Sequence, residues 1–559
     1  MPEHTQKPYN LLREQWLPVQ RKSGKEEFIA PHEITSQLED DPIITIRTPR
    51  PDLDAAALQF LIALLQTTIA PEDGDQWHDL HETPPSPATL HAAFETIIGA
   101  FNLNGDGPRF MQPMEDIGGS VCPITDLWIN SPGDNTRKKN SDFFIKRTEE
   151  PMSPAAAALS LFSMQTNAYG GGPGYRTSVR GGGPLTTLVL GDTLWDTLWN
   201  NVLLAEEVGG KASGVDAAIF PWCGPTRQSN AKKGGVDTRP EDVHLLQVYW
   251  SMPWLIKLQE NPYTDLGQCG LYTTHLARYQ TFEKSNYGTN YIGRWKHPLT
   301  PYRYQTKSKQ LEFISQKGSS RSLRYSNWPS LSCRQSKHNE EEAKGEVIAA
   351  NVGHFYLRQS ELSHGERKPF QMFVFGYEMD NAKTLQWNQG KVPIWIFDDK
   401  EAHELFINHA QSLIDTAARY EDIFYHSARK LLGGKVTGKD AKGNATWDLK
   451  GDNVPDRSSS IVQGPMQALW DDTESRYYDT LSTLKALLDA DEDPSQETIL
   501  EIYLTWRTYL RDIITSYFDA LAPSDLAHAQ DVRAATFARK ELQRQSNPRG
   551  KSWGKYTTV

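Results

Sequence analysis

Residues 169–184 of this 559-residue chain read YGGGPGYRTSVRGGGP. Seven of the 14 residues from Gly170 to Gly183 are glycine, the residue that adopts positive φ angles at little steric cost. The apolar run Leu185 to Leu190 follows, which is typical of a buried strand. We therefore predict a long loop that enters a strand, and such a loop is either a flexible connection or a binding surface.

This loop does not match the P-loop of nucleotide hydrolases. Three residues separate Gly170 from Gly174, whereas the P-loop has four, and Tyr175-Arg176 stands where the P-loop has Lys followed by Ser or Thr. Exposed amides of such a loop can still hold phosphate or enter a nucleic-acid groove, and Arg176 and Arg180 would add positive charge.

The pattern of apolar residues along the chain changes near residue 395. Before it, helical patches alternate with short β-rich runs, and after it the apolar residues follow the 3.6-residue helical period in four stretches. We predict an α+β (mixed α/β) fold with a large irregular N-terminal domain (1–394), a C-terminal four-helix bundle (395–545) and a basic flexible tail (546–559). A polar loop is predicted for 433–456.

Composition and charge exclude several classes of protein. The net charge of −11 rules out a uniformly basic nucleic-acid coat. The four cysteines lie far apart without a CxxC pair, which argues against a zinc ribbon or a disulfide scaffold. The most apolar stretch, Ala55 to Ala70, is shorter than a membrane span and is expected to be a buried helix that begins near Asp52 or Asp54. We expect a cytoplasmic protein that does not insert into membranes and has no metal or cofactor.

The stretch from Lys284 to Lys337 has a net positive charge, opposite in sign to the net charge of the whole chain. It contains eleven basic residues, a single acid at Glu312, and interleaved Tyr and Trp residues. Such a pattern favours contact with a polyanion such as nucleic acid. The alternative is a solvated basic face whose aromatic residues belong to the core.

Signals for catalysis are weak. His78-Asp79 is a dipeptide that metal phosphohydrolases use, and His78 and His81 could share one helix face, but further metal ligands at recognisable spacing are not found. A metal-dependent nuclease or phosphohydrolase that uses His78 and Asp79 remains the alternative function. A carbohydrate-binding protein that uses the many Trp residues is a third hypothesis, in which the basic stretch has no role.

Two motifs resemble those of a known family. Tyr9 to Val19, read as YNLLREQWLPV, and Arg180 to Thr187, read as RGGGPLTT, resemble the opening segment and the strand entry of the CasA family. These proteins are the large subunits of type I-E CRISPR Cascade surveillance complexes. With the C-terminal helices, the resemblance covers both halves of the chain.

The resemblance implies a function without covalent catalysis. CasA-like subunits recognise the protospacer-adjacent motif (PAM) in foreign duplex DNA, start strand separation so that the guide RNA can pair in an R-loop, and help to recruit the effector helicase–nuclease. The implied partners are therefore double-stranded target DNA, the guide-RNA complex with its other subunits, and the helicase–nuclease.

The resemblance also implies DNA-contacting residues. The glycine loop of the family corresponds to Gly170, Gly171, Gly172 and Gly174, extended to Arg176, and glycines there would let the backbone enter the minor groove. The minor-groove lysine corresponds to Lys284, with Asn286 as a rival, because it precedes a Gly-x-Trp-x-His-Pro stretch at Gly293 to Pro298.

Two more segments complete the implied interface. A wedge hairpin corresponds to Tyr377 to Lys383, with the DNA-contacting tip at Asp380, Asn381 and Ala382, and here Asn381 replaces the glutamine of the family. A loop that contacts the complex and nucleic acid corresponds to the following residues: Trp128, Ile129, Asn130, Arg137, Lys138 and Lys139. Cys269 stands alone where some relatives carry a cysteine cluster, so no zinc is expected.

Overall fold

The computed structural model describes residues 7–131, 150–261, 267–269, 271–272, 275–307, 310–332, 347–348, 350–353, 355–356, 370–380, 383–397, 400–450, 454–490, 494–521, 532–550 and 553. The chain separates into two compact units. The first unit comprises Met1–Leu323 and Ser330–Ile394, and the second comprises Arg324–Pro329 and Trp395–Val559.

The described helices before residue 395 are α1 (Pro51–Thr68), α2 (Gly74–Glu82), α3 (Pro87–Glu95), α4 (Pro154–Asn167), α5 (Leu194–Trp199) and α6 (Trp328–Ser332). Helix α1 begins with a proline and has Asp52 and Asp54 in its first turn, where carboxylates stabilise the positive end of the helix dipole. Its residues from Leu53 to Thr67 are almost all buried, which confirms the predicted buried helix.

Aromatic side chains between α1 and α4 form the core of the first unit. Phe60 of α1 contacts Phe162 of α4 edge to face, with ring centroids 5.7 Å apart, and contacts Trp250 in the same way at 5.9 Å. Helix α4 is buried at every position, which explains why its first half, from Ala155 to Leu159, consists of apolar residues. Helix α4 leads directly into the glycine loop.

The described strands are β1 (Leu17–Arg21), β2 (Glu26–Ile29), β3 (Ile43–Ile46), β4 (Ser120–Pro123), β5 (Thr186–Val189), β6 (Asp237–Thr238), β7 (Leu255–Glu260), β8 (Tyr279–Ser285), β9 (Asn290–Tyr291), β10 (Tyr302–Lys307), β11 (Gln310–Ser315), β12 (Val347–Ile348), β13 (Phe370–Asp380), β14 (Lys383–Ile394), β15 (Lys435–Lys439) and β16 (Ala445–Asp448). They form small sheets, of which β4-β8-β7 and β5-β13-β14 carry the predicted site residues. Both sheets are antiparallel, and the mixed α+β fold class is confirmed.

The second unit contains the helices α7 (Lys400–Gly433), α8 (Ser460–Ala490), α9 (Gln496–Leu521) and α10 (Val532–Gln545). Helix α7 packs against each of the other three. It ends at Gly433, the first residue of the predicted polar loop. Tyr325, an aromatic residue of the basic stretch, is buried here and stacks on Tyr477 with ring centroids 4.4 Å apart.

The structure adds detail to two expectations about the second unit. The connector 433–456 is not only loop, because Val436 pairs with Trp447 in the β15–β16 hairpin. The predicted flexible tail is described at 546–550 and 553, and there it packs on the helices, since Trp553 is buried and stacks on Tyr420 at 5.1 Å. Among the described residues, no helix is both long and apolar enough to span a membrane.

Candidate nucleic-acid interface

The glycine loop leaves α4 at Asn167 and folds back on itself. The amide of Ser178 donates to the carbonyl of Ala168 over 2.9 Å, which closes the loop at its base. A turn forms at the tip, where the Tyr175 amide donates to the carbonyl of Gly172 over 3.1 Å. The backbone of Gly170, Gly171 and Gly172 is therefore presented at the surface, where these three residues are exposed.

Glycine is required at one position for a packing reason. Gly174 has a φ of +81°, and a Cβ atom there would lie 3.0 Å from two carbon atoms of the Tyr287 ring. Its carbonyl accepts a hydrogen bond of 2.7 Å from the amide of Tyr287. By contrast, the nearest atom to a Cβ at Gly170 would be 3.9 Å away, so the glycine there leaves the surface open without being demanded by a close contact.

The Arg176 side chain holds the loop against its neighbours. Its Nε donates to Ser229 Oγ over 2.8 Å, and its guanidinium lies 5.9 Å from the Tyr287 ring centroid. The indole of Trp254 donates to the Arg176 carbonyl over 2.8 Å. Arg176 is thus partly buried and shapes the loop, which differs from the expectation of a freely presented charge.

The structure brings both candidate minor-groove residues to this loop. Lys284 lies in β8, and its ammonium is 5.8 Å from the ring centroid of Tyr175 and 5.9 Å from that of Trp254. Asn286 follows the strand and donates from Nδ2 to the carbonyl of Pro173 over 3.3 Å. A cation, an amide side chain and the exposed glycine backbone therefore share one surface.

Helix α4 and the aromatic residues set the position of this surface. Gln165, in the last turn of α4, donates to the carbonyl of Trp254 over 2.9 Å and accepts from its amide over 3.0 Å. Trp254 then contacts Tyr175 with ring centroids 4.9 Å apart. Sequence reasoning missed Trp254, Tyr287 and Ser229, because no motif or spacing links them to the loop.

The second glycine run anchors the loop to the hairpin of β13 and β14. Gly183 has a φ of +59°, and a Cβ atom there would lie 2.8 Å from the Tyr377 carbonyl oxygen and 2.6 Å from Met379 Cγ. The hairpin positions Asp380 opposite Lys383 at its end. The predicted tip residues Asn381 and Ala382 lie outside the described residues.

Arg180 holds this region together from below the surface. It is almost fully buried and donates to Gln59 Oε1 over 3.0 Å, Thr186 Oγ1 over 2.8 Å and the Thr166 carbonyl over 3.2 Å. Burial lowers the pKa of Arg180 to about 10, so the guanidinium is still charged at neutral pH. Since neutral oxygens accept these bonds, Arg180 fastens α1, α4 and β5 to the loop and is not available to DNA.

The segment from Trp128 to Asn130 supports the hairpin from the other side. The carbonyl of Ile129 accepts a 2.8 Å hydrogen bond from Thr384 Oγ1, and Asn130 Oδ1 accepts one of 2.9 Å from Arg50. The side chains of Trp128 and Ile129 are buried, so in this structure they are core residues, while Asn130 is exposed. Arg137, Lys138 and Lys139 lie outside the described residues.

The charged and the aromatic residues of the basic stretch lie in different environments. Arg294, Lys296 and Arg303 are exposed, whereas Trp295 and Tyr302 are buried among apolar residues. Its aromatic residues in the first unit mainly build the core. Lys284 lies beside Tyr175 of the glycine loop, and Lys317 donates to the Arg180 carbonyl over 3.5 Å.

The alternative catalytic site gains no support. His78 and His81 lie in α2, where both rings contact Trp77, at 5.1 Å and 5.2 Å between centroids. Over the part of the chain that the structure describes, no three His, Cys, Asp or Glu side chains are grouped so that they could hold a metal ion.

Comparison with known proteins identifies the family. The family model described as CRISPR-associated protein Cse1 matches residues 10–517. The chain belongs to the Cse1 family. The resemblance to CasA predicted from the two motifs is thereby confirmed, since one similar structure carries both names.

Solved Cse1 structures share the fold along almost the full length. Cse1 from Acidimicrobium ferrooxidans is 17% identical, with a TM-score of 0.67 over 97% of this chain and 99% of that chain. CasA (Cse1) from Thermus thermophilus is 16% identical, with a TM-score of 0.65 over 96% and 100%. A chain of a structure titled CRISPR RNA-guided surveillance complex is 12% identical, with a TM-score of 0.64 over 97% and 100%.

Proposed function

We propose that this protein is the DNA-recognition subunit of a guide-RNA CRISPR surveillance complex. In this role it recognises the protospacer-adjacent motif in foreign duplex DNA and starts strand separation for R-loop formation. It also helps to recruit the effector helicase–nuclease, and it catalyses no covalent step itself. Its partners would be the target duplex, the other subunits with their guide RNA, and the helicase–nuclease in the cytoplasm.

The observation that carries the proposal is the surface at the tip of the glycine loop. The exposed backbone of Gly170 to Gly172 lacks side chains that would hold it away from a groove floor, and Lys284 stands beside it on an aromatic support. Donors from backbone amides and one cation suit the minor groove, which offers acceptors in a largely degenerate pattern. Weak sequence discrimination is expected of such a reader.

Family membership supports the remaining roles. A structurally similar chain belongs to a CRISPR RNA-guided surveillance complex, which favours assembly of this chain with comparable subunits. In this proposal residues 1–394 recognise DNA, and the hairpin that ends at Asp380 and Lys383 separates the strands. The helices of 395–545 dock on the complex and the target duplex.

The test is a gel-shift assay with the protein alone and within a reconstituted guide-RNA complex. The probe is a guide-matched duplex, and competitors differ only in the base pairs that flank the target. Gly170→Asp/Gly171→Asp adds two carboxylates at positions without positive φ. We expect this variant to weaken flank-dependent binding about tenfold or more, because the carboxylates repel phosphate and lift the backbone out of the groove.

The matched control is Gly107→Asp/Gly214→Asp. A Cβ at either position would meet nothing within 4 Å, so the control adds the same charge without a clash. It should bind like the unmodified protein. Equal binding to all flanks, or DNA cleavage by the protein alone with magnesium, would refute the proposal.

A further inference from the structure

The β13–β14 hairpin contains a β-bulge just before its tip. Glu378 pairs with Gln386, but the next residue, Met379, pairs with Thr384. Leu385 is therefore the additional residue of β14, without a partner on β13. A bulge of this kind shifts the alternation of side chains and redirects the bulged residue.

Side chains near the bulge differ in whether they pack on the protein or face solvent. Thr384 is turned toward the protein, where it bonds to the Ile129 carbonyl, and Trp387 packs on Tyr377 with ring centroids 4.8 Å apart. Leu385 and Gln386, between them, are both exposed. In a regular strand Leu385 and Trp387 would point to the same side, so the bulge permits a packed Trp387 and an outward Leu385 together.

Leu385 is 60% exposed and lies next to the hairpin tip. Its exposed neighbours are polar, namely Asp380, Lys383 and Gln386. The core of a protein–protein interface needs several contiguous apolar side chains, and Leu385 is the one large apolar side chain that is exposed among the described hairpin residues 371–380 and 383–394. One apolar side chain among polar ones fits insertion at a base step, where apolar residues unstack neighbouring pairs.

We propose that Leu385 is a DNA-contacting residue that packs against the first base pair of the target as the strands separate. Its apolar side chain would cover the face of the base that loses its stacking partner. Lys383, two residues away, would lie near the adjacent phosphate. This inference rests on the proposed function and adds to it a residue that neither the sequence motifs nor the family comparison assigns.

The experiment follows strand opening in the complete guide-RNA complex. The target duplex carries 2-aminopurine at the pair next to the flank, because its fluorescence rises when the base unstacks. We expect Leu385→Ala to open the fully paired duplex about tenfold more slowly, since the apolar contact with the exposed base is lost. On a duplex whose first pairs are already mismatched, Leu385→Ala should match the unmodified complex, and Leu385→Met should match it on both duplexes.

The matched control is Leu276→Ala, which truncates a leucine that is 64% exposed on another segment of the same unit. It should leave opening unchanged on either duplex. Normal opening by Leu385→Ala on the paired duplex would overturn the inference and leave the proposed function in place. So would equal slowing on the mismatched duplex, or failure of the variant to join the complex, which would assign Leu385 to a subunit contact. If the unmodified complex opens no duplex, both proposals are wrong.

Discussion

At the scale of single residues, the glycines of the loop have different tasks. Gly174 combines a left-handed backbone with a close aromatic neighbour, whereas Gly170 has neither constraint. The sequence alone does not distinguish Gly170 from Gly174, because both belong to the same glycine-rich segment. Only the position of Tyr287, which is distant in sequence, distinguishes the structural glycine from one that exposes backbone.

This distinction predicts different results for two alanine substitutions. Gly174→Ala should lower the free energy of unfolding by about 1–2 kcal/mol, because an L-residue with positive φ is strained and its Cβ meets the Tyr287 ring. Gly170→Ala should change it by less than about 0.5 kcal/mol. Urea unfolding of the full chain measures both, and equal losses would contradict this account of the loop.

At the scale of elements, a buried polar network joins α1, the Trp128–Asn130 segment and the hairpin. Arg50 donates to both carboxylate oxygens of Asp52, over 3.1 Å and 2.7 Å, and its guanidinium lies 4.7 Å from the Trp128 ring centroid. The hydroxyl of Tyr377 donates to Asp52 from the hairpin side. Burial and the Asp52 carboxylate raise the pKa of Tyr377 well above its usual value, so it remains a donor.

The network predicts a large effect of Arg50→Ala on stability. Loss of Arg50 leaves the buried Asp52 carboxylate without its cation, and we expect the free energy of unfolding to fall by about 3 kcal/mol. Arg47→Ala is the control, because the Arg47–Glu26 pair is mostly exposed and its N–O distance is 3.7 Å. That variant should lose less than about 0.5 kcal/mol in the same denaturation assay. Comparable losses for both variants would show that burial of the network does not increase its contribution to the free energy of unfolding.

At the scale of the whole molecule, one source of acid sensitivity should be a buried histidine of the first unit. His297 is buried, and its Nδ1 accepts a 3.2 Å hydrogen bond from the amide of Leu299. Burial, and then the charge of Arg180, lower the pKa of His297 well below 6.5. The folded state keeps this histidine neutral where the unfolded chain binds a proton, so stability is present above pH 6.5 and is lost as the pH falls.

His297→Asn tests this source of pH dependence, because an amide oxygen can accept the same hydrogen bond without titrating. Between pH 6.5 and 5.5 the unfolding free energy of the unmodified protein should fall by about 1 kcal/mol more than that of the variant. Urea titrations at pH 7.5, 6.5 and 5.5 give the two slopes. Parallel pH curves would exclude His297 as the titrating group.

Much of the fold follows from local pattern. The stop of α7 at Gly433, the buried helix α1 and the mixed α+β class were predictable, because helical periodicity and glycine stops act within a few residues. The exact buried positions are less predictable: α9 buries Ile514 and Phe518, whereas the adjacent Ile513 and Tyr517 are only partly buried. Neighbouring apolar residues compete for one face, and packing partners decide between them.

By itself, the sequence of this protein determined the family, the glycine loop and the candidate DNA-contacting residues, since each of these depends on contiguous motifs. Only the tertiary structure decided which of them share a surface. It placed Lys284 and Asn286 at the loop, turned Arg176 and Trp128 inward, and exposed Leu385 through a bulge. Contacts between residues so far apart in the chain depend on how the helices and sheets pack, and no local pattern records that packing.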